Sequence, residues 1–203
     1  MSALALVSPA AACNQAIARS PMERLAKAAG ARFEVRAGWN VAVAYDRPPS
    51  KDAVAWADAS HLSKWEVRGG RAGTEFTTAR REGEAWWCGV TRDRGLVLGG
   101  SEAPEDALDV TCNYAALTIS GPQARETIAR FCAIDLRPDQ APPNSFRPGS
   151  IARQPGMVLV EATDRFLILF GWALGEYMWR VVEDAATHLG GAPIGLDDLE
   201  QHA

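Results

Sequence analysis

The 203 residues, 47% of them hydrophobic and 23% charged, form one large or two small globular domains, which excludes a disordered chain or a disulfide- or metal-stabilised miniature scaffold. The formal net charge of −4 leaves no basic excess to neutralise the phosphates of a nucleic acid. The apolar stretch Met1–Cys13 is too short for a membrane helix and lacks the positive start of a signal peptide. We therefore expect a cytoplasmic protein with no nucleic-acid and no membrane partner.

The four cysteines lie far apart in the sequence and include no Cys-x-x-Cys pair. They are Cys13, Cys88, Cys112 and Cys132. With only three histidines to join them, a zinc site is not expected, and we predict no metal site. Dispersed cysteines of this kind favour reduced, mostly buried thiols, although one structural disulfide stays compatible with the sequence.

The first elements in chain order are two predicted helices. Ser20, followed by a proline and by Glu23, is typical of a helix start with a capping box, and Gly30 would end that helix. Two consecutive prolines then force a turn. A short helix is predicted after them, at residues 51–59.

Short β-rich segments follow up to the middle of the chain. Residues 61–68 alternate imperfectly and predict a strand, and the runs 85–91 and 95–98, separated by three polar residues, predict a hairpin. The polar stretch 101–106 contains a proline, and its burial would cost free energy. It is the predicted boundary between two lobes.

The predicted domain organisation is therefore a single domain over residues 1–203, built from two intertwined lobes. The lobes span about 20–105 and 106–200, and no third, C-terminal lobe follows them.

The second half predicts an α+β arrangement. A helix begins near Pro122 with an apolar inner face at Ala124, Ile128 and Phe131, and a longer amphipathic helix covers 173–189. Strands are predicted at 109–120, 151–153, 157–162 and 166–170, with a proline-rich loop at 138–148. This order favours a ferredoxin-like fold, with helices packed on one face of mostly antiparallel sheets.

Five segments carry a family resemblance, and the first of them is residues 30–45. Asp58-Ala-Ser-His-Leu-Ser-Lys64 leads into a strand that ends at Gly69, and residues 115–126 contain Ser-Gly-Pro-Gln-Ala-Arg-Glu. These three segments resemble the folate-binding aminomethyltransferase family, the T-protein-like proteins, with Ser63 where the family motif has glycine. Residues 132–138 and 166–179 are most similar to the gamma subunit of heterotetrameric sarcosine oxidase.

The resemblance implies a T-protein-like fold, tetrahydrofolate as a possible cofactor, and partners that are flavin-containing amine oxidase or dehydrogenase subunits. Three family features are missing: an Asp pair at 96–102, a Gly-Tyr-Thr-Gly-Glu loop at 157–170, and the third lobe. We therefore expect a non-catalytic, gamma-like accessory subunit of a complex that oxidatively demethylates N-methylated amines, with no folate bound tightly by the isolated chain. The alternatives are a stand-alone tetrahydrofolate-dependent aminomethyl or methyl transferase, and a ligand-binding module that keeps the family's cavity but holds a different ligand.

Three residues are candidates for contact with folate or with a flavin of a partner. Trp86 and Trp87 present aromatic faces that suit flat heterocycles, and Glu161 lies where the family's pterin-binding carboxylate would be replaced. Because neighbouring residues of a strand point to opposite faces, at most one of the two tryptophans can serve such a site. A place in the core or in an interface is the competing interpretation for both.

The Asp-x-Ser-His segment also has a structural interpretation. We expect Asp58 and Ser60 to turn the chain into the following strand. We interpret His61 as a hydrogen-bonded structural residue rather than a ligand contact.

Overall fold

The computed structural model describes residues 16–69 and 73–202, which form three β-sheets and three α-helices. The helices are α1 (Glu23–Ala28), α2 (Ala124–Ala129) and α3 (Gly175–Thr187). The strands are β1 (Ala18–Arg19), β2 (Ala31–Arg36), β3 (Trp39–Tyr45), β4 (Ala55–Asp58), β5 (Lys64–Arg68), β6 (Ala79–Glu82), β7 (Ala85–Gly89), β8 (Arg94–Gly99), β9 (Leu108–Asp109), β10 (Tyr114–Ser120), β11 (Ser145–Ile151), β12 (Gln154–Ala162), β13 (Arg165–Gly171) and β14 (Ala192–Pro193). A 3-10 helix, Leu196–His202, follows the last strand and is called the C-terminal segment below.

A six-stranded sheet with the order β11-β12-β13-β10-β4-β14 forms the centre of the fold. Its pairs are antiparallel except for β14 with β4, so β4 ties a piece of the first half of the chain into a sheet built mainly from the second half. The helices bury their apolar faces against one side of this sheet. There the indole of Trp56 meets that of Trp179 edge to face, with ring centroids 6.1 Å apart.

A five-stranded antiparallel sheet, with the order β6-β7-β8-β5-β9, covers part of the opposite side. Strand register places Arg81, Trp86, Leu98 and Lys64 in one row on its inner face. A second row, on the outer face, is formed by Arg80, Trp87, Val97 and Trp65. The α+β class and the mostly antiparallel sheets predicted from the sequence are confirmed.

The C-terminal segment covers the same side of the central sheet next to the five-stranded sheet. Leu199 packs on a small cluster that Ile194 forms with two alanines of β4. Gly195 passes so close to β3 that a Cβ there would overlap the carbonyl of Val43. The Arg36 guanidinium donates hydrogen bonds of 2.6 and 2.9 Å to the Asp197 carboxylate and so ties the segment to β2.

Most local predictions agree with these elements. The structure confirms the hairpin of β7 and β8, the strand β5, and the helix α2, whose Ala124 and Ile128 are fully buried. The helix predicted at 173–189 is α3, preceded by one 3-10 turn.

The start of α1 differs from the predicted capping box. Ser20 Oγ accepts a hydrogen bond from the amide of Met22, 3.1 Å away, and the helix begins at Glu23. The Glu23 carboxylate does not fold back on the backbone, because it pairs with Lys27 and with Arg19.

Three predictions in irregular regions are wrong. Residues 51–59 are not a helix: the run Ala55–Asp58 is strand β4, whose side chains are buried between two layers of the protein. Residues 151–153 are not a strand of their own, because Ala152 and Arg153 have φ values of 48° and 63° and form the turn between β11 and β12. The loop predicted at 138–148 ends early, because β11 already includes Pro148. Proline is tolerated there because β11 is an edge strand of the sheet.

Cys88, Cys112 and Cys132 are free thiols, of which only Cys88 is fully buried, and Cys13 lies outside the described residues. Within the described part of the chain, no helix has the length and hydropathy needed to cross a membrane.

Candidate functional site

The segment Asp58–Lys64 folds into a turn that is held by its own side chains. Asp58 Oδ1 accepts a hydrogen bond of 2.9 Å from the amide of Ser60, and Ser60 Oγ accepts one of 3.2 Å from the amide of Ala116 in β10. The structure thus confirms the turn role predicted for Asp58 and Ser60. The most recognisable motif of the sequence therefore fixes the backbone of this turn.

Lys64 closes this turn from inside the protein. Its side chain is fully buried, and Nζ donates to the carbonyl oxygens of Ser60, at 2.9 Å, and Leu62, at 2.8 Å. Burial lowers the pKa of Lys64 to about 8, against the opposing effect of the acidic groups Asp58, Cys112 and Asp109. The ammonium group therefore donates hydrogen bonds to two backbone carbonyls that have no amide donor within the turn.

Removing the hydroxyl of Ser60 tests the interpretation that the motif stabilises the turn. The Ser60→Ala variant leaves the buried amide of Ala116 without its acceptor, so we expect a loss of about 1–3 kcal/mol in the free energy of unfolding. Urea unfolding followed by circular dichroism measures it. Ser63→Ala, in the same turn but outside these hydrogen bonds, is the matched control and should change stability by less than about 0.5 kcal/mol. Equal stability of the two variants would contradict the structural role.

The turn places His61 at the edge of a cavity of about 370 Å³ on the side of the central sheet that faces the C-terminal segment. The lining combines charged side chains with aliphatic walls. It consists of Ala59, His61, Leu62, Arg81, Thr118, Glu161, Arg165, Leu196 and Leu199. This cavity is the candidate functional site, because it brings together the largest mixed set of polar groups next to the motif turn.

Glu161 enters the cavity through an irregularity in β12. The pairing of β12 with β13 shifts register between Val160 and Ala162, which leaves Glu161 as the extra residue of a β-bulge. Bulges redirect side chains and are common beside functional sites. Burial raises the pKa of Glu161, whereas the charges of Arg165 and Arg81 act in the opposite direction.

Two arginines reach the cavity from different sheets. Arg165, at the start of β13, donates from Nη2 to the carbonyl oxygen of Leu199, 2.8 Å away, while its Nε lies 3.8 Å from Glu161 Oε2. Arg81, on β6, lies over the indole ring of Trp86 with 6.0 Å between the guanidinium carbon and the ring centroid. Glu161 thus lies in the field of two positive charges.

His61 differs from its predicted role. Within residues 16–69 and 73–202 its ring has no hydrogen-bond partner, so the described part of the chain does not supply the hydrogen bond that the sequence indicated. Burial, with the nearby charges of Lys64 and Arg36, lowers the pKa of His61 to about 4. The imidazole is therefore neutral at pH 7 and offers one donor and one acceptor to the cavity.

The two tryptophans lie on opposite sides of β7, as alternation requires. Trp86 is on the inner face and approaches the cavity through Arg81, whereas Trp87 is on the outer face beside Val67. Of the three candidates for cofactor contact, Glu161 lines the cavity, Trp86 lies one side chain away from it, and Trp87 is separated from it by the sheet.

Sequence reasoning missed Arg81, Thr118 and Arg165 as lining residues. Arginine at a strand end is usually solvated, and the register that turns these three side chains toward one cavity is a property of the paired sheets. The one local feature of the sequence that indicated this site was an acidic residue, Glu161, within an apolar strand.

The lining does not fit a catalytic folate site. The cavity is at the small end of ligand sites, Arg81 lies over the ring of Trp86, and Glu161 is the single carboxylate of the lining. The His61 imidazole, with a pKa of about 4, is poorly matched to proton transfer near neutral pH. The groups present suit the binding of a charged ligand better than acid–base chemistry. Within residues 16–69 and 73–202, no three His, Cys, Asp or Glu side chains come together as metal ligands.

Comparison with known proteins gives matches at the level of structure. No protein-family model and no curated protein matches the sequence. Among solved structures, a chain of the heterotetrameric sarcosine oxidase from Corynebacterium sp. U-96 superposes with a TM-score of 0.65 and 18% identity, over 87% of this chain and 98% of that chain.

A second solved structure is the glycine cleavage system aminomethyltransferase T from Bartonella henselae. It superposes with a TM-score of 0.64 and 15% identity, over 89% of this chain and 60% of that chain, so the present chain spans about 60% of its length. The chain has the T-protein-like fold that the motif resemblance implied.

Proposed function

We propose that the chain is an accessory, gamma-like subunit of a cytoplasmic flavoprotein complex of the sarcosine oxidase type, which oxidatively demethylates N-methylated amines. In this proposal the flavin and the folate acceptor of the one-carbon unit belong to partner subunits. This chain supplies contact surface and carries no catalytic residue.

The observation that carries the proposal is the extent of the two structural matches. The sarcosine oxidase chain is covered over 98% of its length, whereas the aminomethyltransferase is covered over 60%. A chain that matches nearly the whole of one component of a heterotetramer favours a role inside an assembly. The lining of the cavity, which does not fit a catalytic folate site, supports the same conclusion.

The outer face of the five-stranded sheet supports a contact with a flavoprotein subunit. Trp65 and Trp87 are only half buried there and pack with Val67 and Val97 in a small apolar cluster. Half-buried tryptophans on an open sheet face are typical of interface centres. Arg80 lies over the Trp87 ring at 5.2 Å and gives this face a polar margin.

Thermal unfolding with tetrahydrofolate separates the two candidate functions. For an accessory subunit, excess tetrahydrofolate should leave the Tm of the isolated chain unchanged. A stand-alone transferase at a hundredfold excess over its Kd would gain about 2.7 kcal/mol, a rise of about 5–10 °C for a chain of this size. Such a rise, if lost in the Glu161→Gln variant, would overturn the proposal and favour the transferase.

Co-purification tests the assembly itself. The affinity-tagged chain, purified from its own cells, should carry a flavoprotein identified by its flavin absorbance and by an N-methylamine-dependent reduction of that flavin. We expect Trp87→Ala to weaken this association by more than tenfold, because interface tryptophans contribute about 2 kcal/mol or more. Tyr177→Ala, an exposed aromatic change on α3, is the control. Recovery of the tagged chain without flavin would contradict the proposal.

A further inference from the structure

We propose that the cavity beside the motif turn binds the carboxylate group of a small organic acid, recognised by Arg81 and Arg165. Its volume of about 370 Å³ lies within the range of small-molecule sites in proteins. This proposal concerns the cavity alone and does not rest on membership of a flavoprotein complex.

The charges that line the cavity do not balance. Arg81 and Arg165 are positive, Glu161 contributes at most one negative charge, and His61 is neutral at pH 7 because its pKa is about 4. A ligand with one negative charge would bring the lining to neutrality. Guanidinium groups bind carboxylates through charge-assisted and often paired hydrogen bonds.

Arg165 has a hydrogen-bond donor that such a ligand could pair with. Its Nε is buried and donates no hydrogen bond to any described residue, and the nearest carboxylate oxygen, Glu161 Oε2, is 3.8 Å away. That separation is too long for a hydrogen bond, so a buried polar group stays unsatisfied. The bond from Nη2 to Leu199 fixes the guanidinium, so the free Nε–H is held in place for an acceptor.

Arg81 supplies the second positive group from the opposite sheet. Its Nε donates to the carbonyl of Gly83, 3.3 Å away, and no carboxylate among the described residues lies within 4 Å of its guanidinium. The preceding residue on β6, Arg80, points to the other face of the sheet and pairs with Glu82. The two neighbouring arginines therefore point to opposite faces of the sheet, and of the two only Arg81 lines the cavity.

The remaining walls limit the ligand to a short molecule. Leu62, Leu196 and Leu199 offer aliphatic surface for a few carbon atoms, and Thr118 adds a hydroxyl from β10. A simple short-chain acid meets these requirements. A small amino acid does so too, if its ammonium group lies against Glu161.

Titration followed by NMR tests the site on the intact chain. Propionate and glycine serve as probes, and the Nε–Hε signals of the arginines in the 15N-labelled protein serve as the readout. We expect saturable shifts for Arg81 and Arg165 with propionate. Arg81→Met should raise the propionate Kd about tenfold, the effect of losing one charge-assisted hydrogen bond. Arg80→Met removes the same charge from the other face of the strand and should change the Kd by less than about twofold.

A second variant distinguishes the two sources of the carboxylate. Glu161→Gln removes the opposing negative charge and should tighten propionate binding. If the same variant weakens glycine, the natural ligand is an amino acid, and if it tightens glycine as well, the ligand is a simple acid.

The proposal fails if neither probe gives saturable shifts at the two arginines, or if Arg80→Met weakens binding as much as Arg81→Met. Since these titrations contain neither folate nor a partner, their outcome is independent of whether the chain assembles with a flavoprotein.

Discussion

The Trp179→Ala variant is expected to lose about 3–5 kcal/mol of unfolding free energy, the range of large aromatic truncations in a core. Trp179 is 1% exposed in the middle of α3 and packs edge to face on Trp56 of β4. Truncation removes this contact and leaves a cavity between the longest helix and the central sheet. Met178 and Val182, the neighbours of Trp179 on the same helix, are held in place by that helix and cannot fill this cavity.

Urea unfolding of the full chain at one pH, followed by circular dichroism, measures this loss. Trp179→Phe keeps an aromatic ring in place and should lose less than half as much. Arg180→Ala, an exposed neighbour on the same helix, should stay within about 0.5 kcal/mol of the unsubstituted chain. A loss below about 1 kcal/mol for Trp179→Ala would show that α3 does not anchor the fold.

Lys64 is expected to make the protein more stable as the pH rises from about 8 to 10.5. Burial lowers the pKa of the folded lysine to about 8, while the unfolded lysine keeps its ordinary value of 10.5. Between these values the unfolded chain binds more protons, so the unfolding free energy rises with pH. The shift corresponds to a gain of about 3 kcal/mol, which is absent below pH 8 and complete above 10.5.

The comparison with Lys64→Met isolates this contribution. Methionine keeps an unbranched chain but does not titrate, so the stability of the variant relative to the unsubstituted chain should fall as the pH is raised through this range. Tyr45, whose pKa is raised by burial, destabilises the fold at high pH in both proteins and cancels in the difference. Parallel pH profiles for the two proteins would show that Lys64 titrates normally.

Local patterns determined several elements of this protein. The hairpin of β7 and β8 follows from two β-rich runs around a polar turn, and α3 from a long apolar stripe. Both depend on periodicities that lie within one segment, so they need no knowledge of distant residues. The turn of Asp58 and Ser60 was predictable for the same reason, because its hydrogen bond joins residues two apart.

The strand conformation of β4 and the formation of the cavity depend on tertiary structure. The run Ala55–Asp58 has the composition of a helix, and it becomes a strand because β10 and β14 pair with both of its edges. Arg81, Glu161 and Arg165 lie on three different strands, and their meeting depends on sheet register, on a bulge in β12, and on how the sheets pack. The sequence contains the side-chain chemistry and the local periodicity, whereas the convergence of these charges on one cavity is fixed only when distant strands pair.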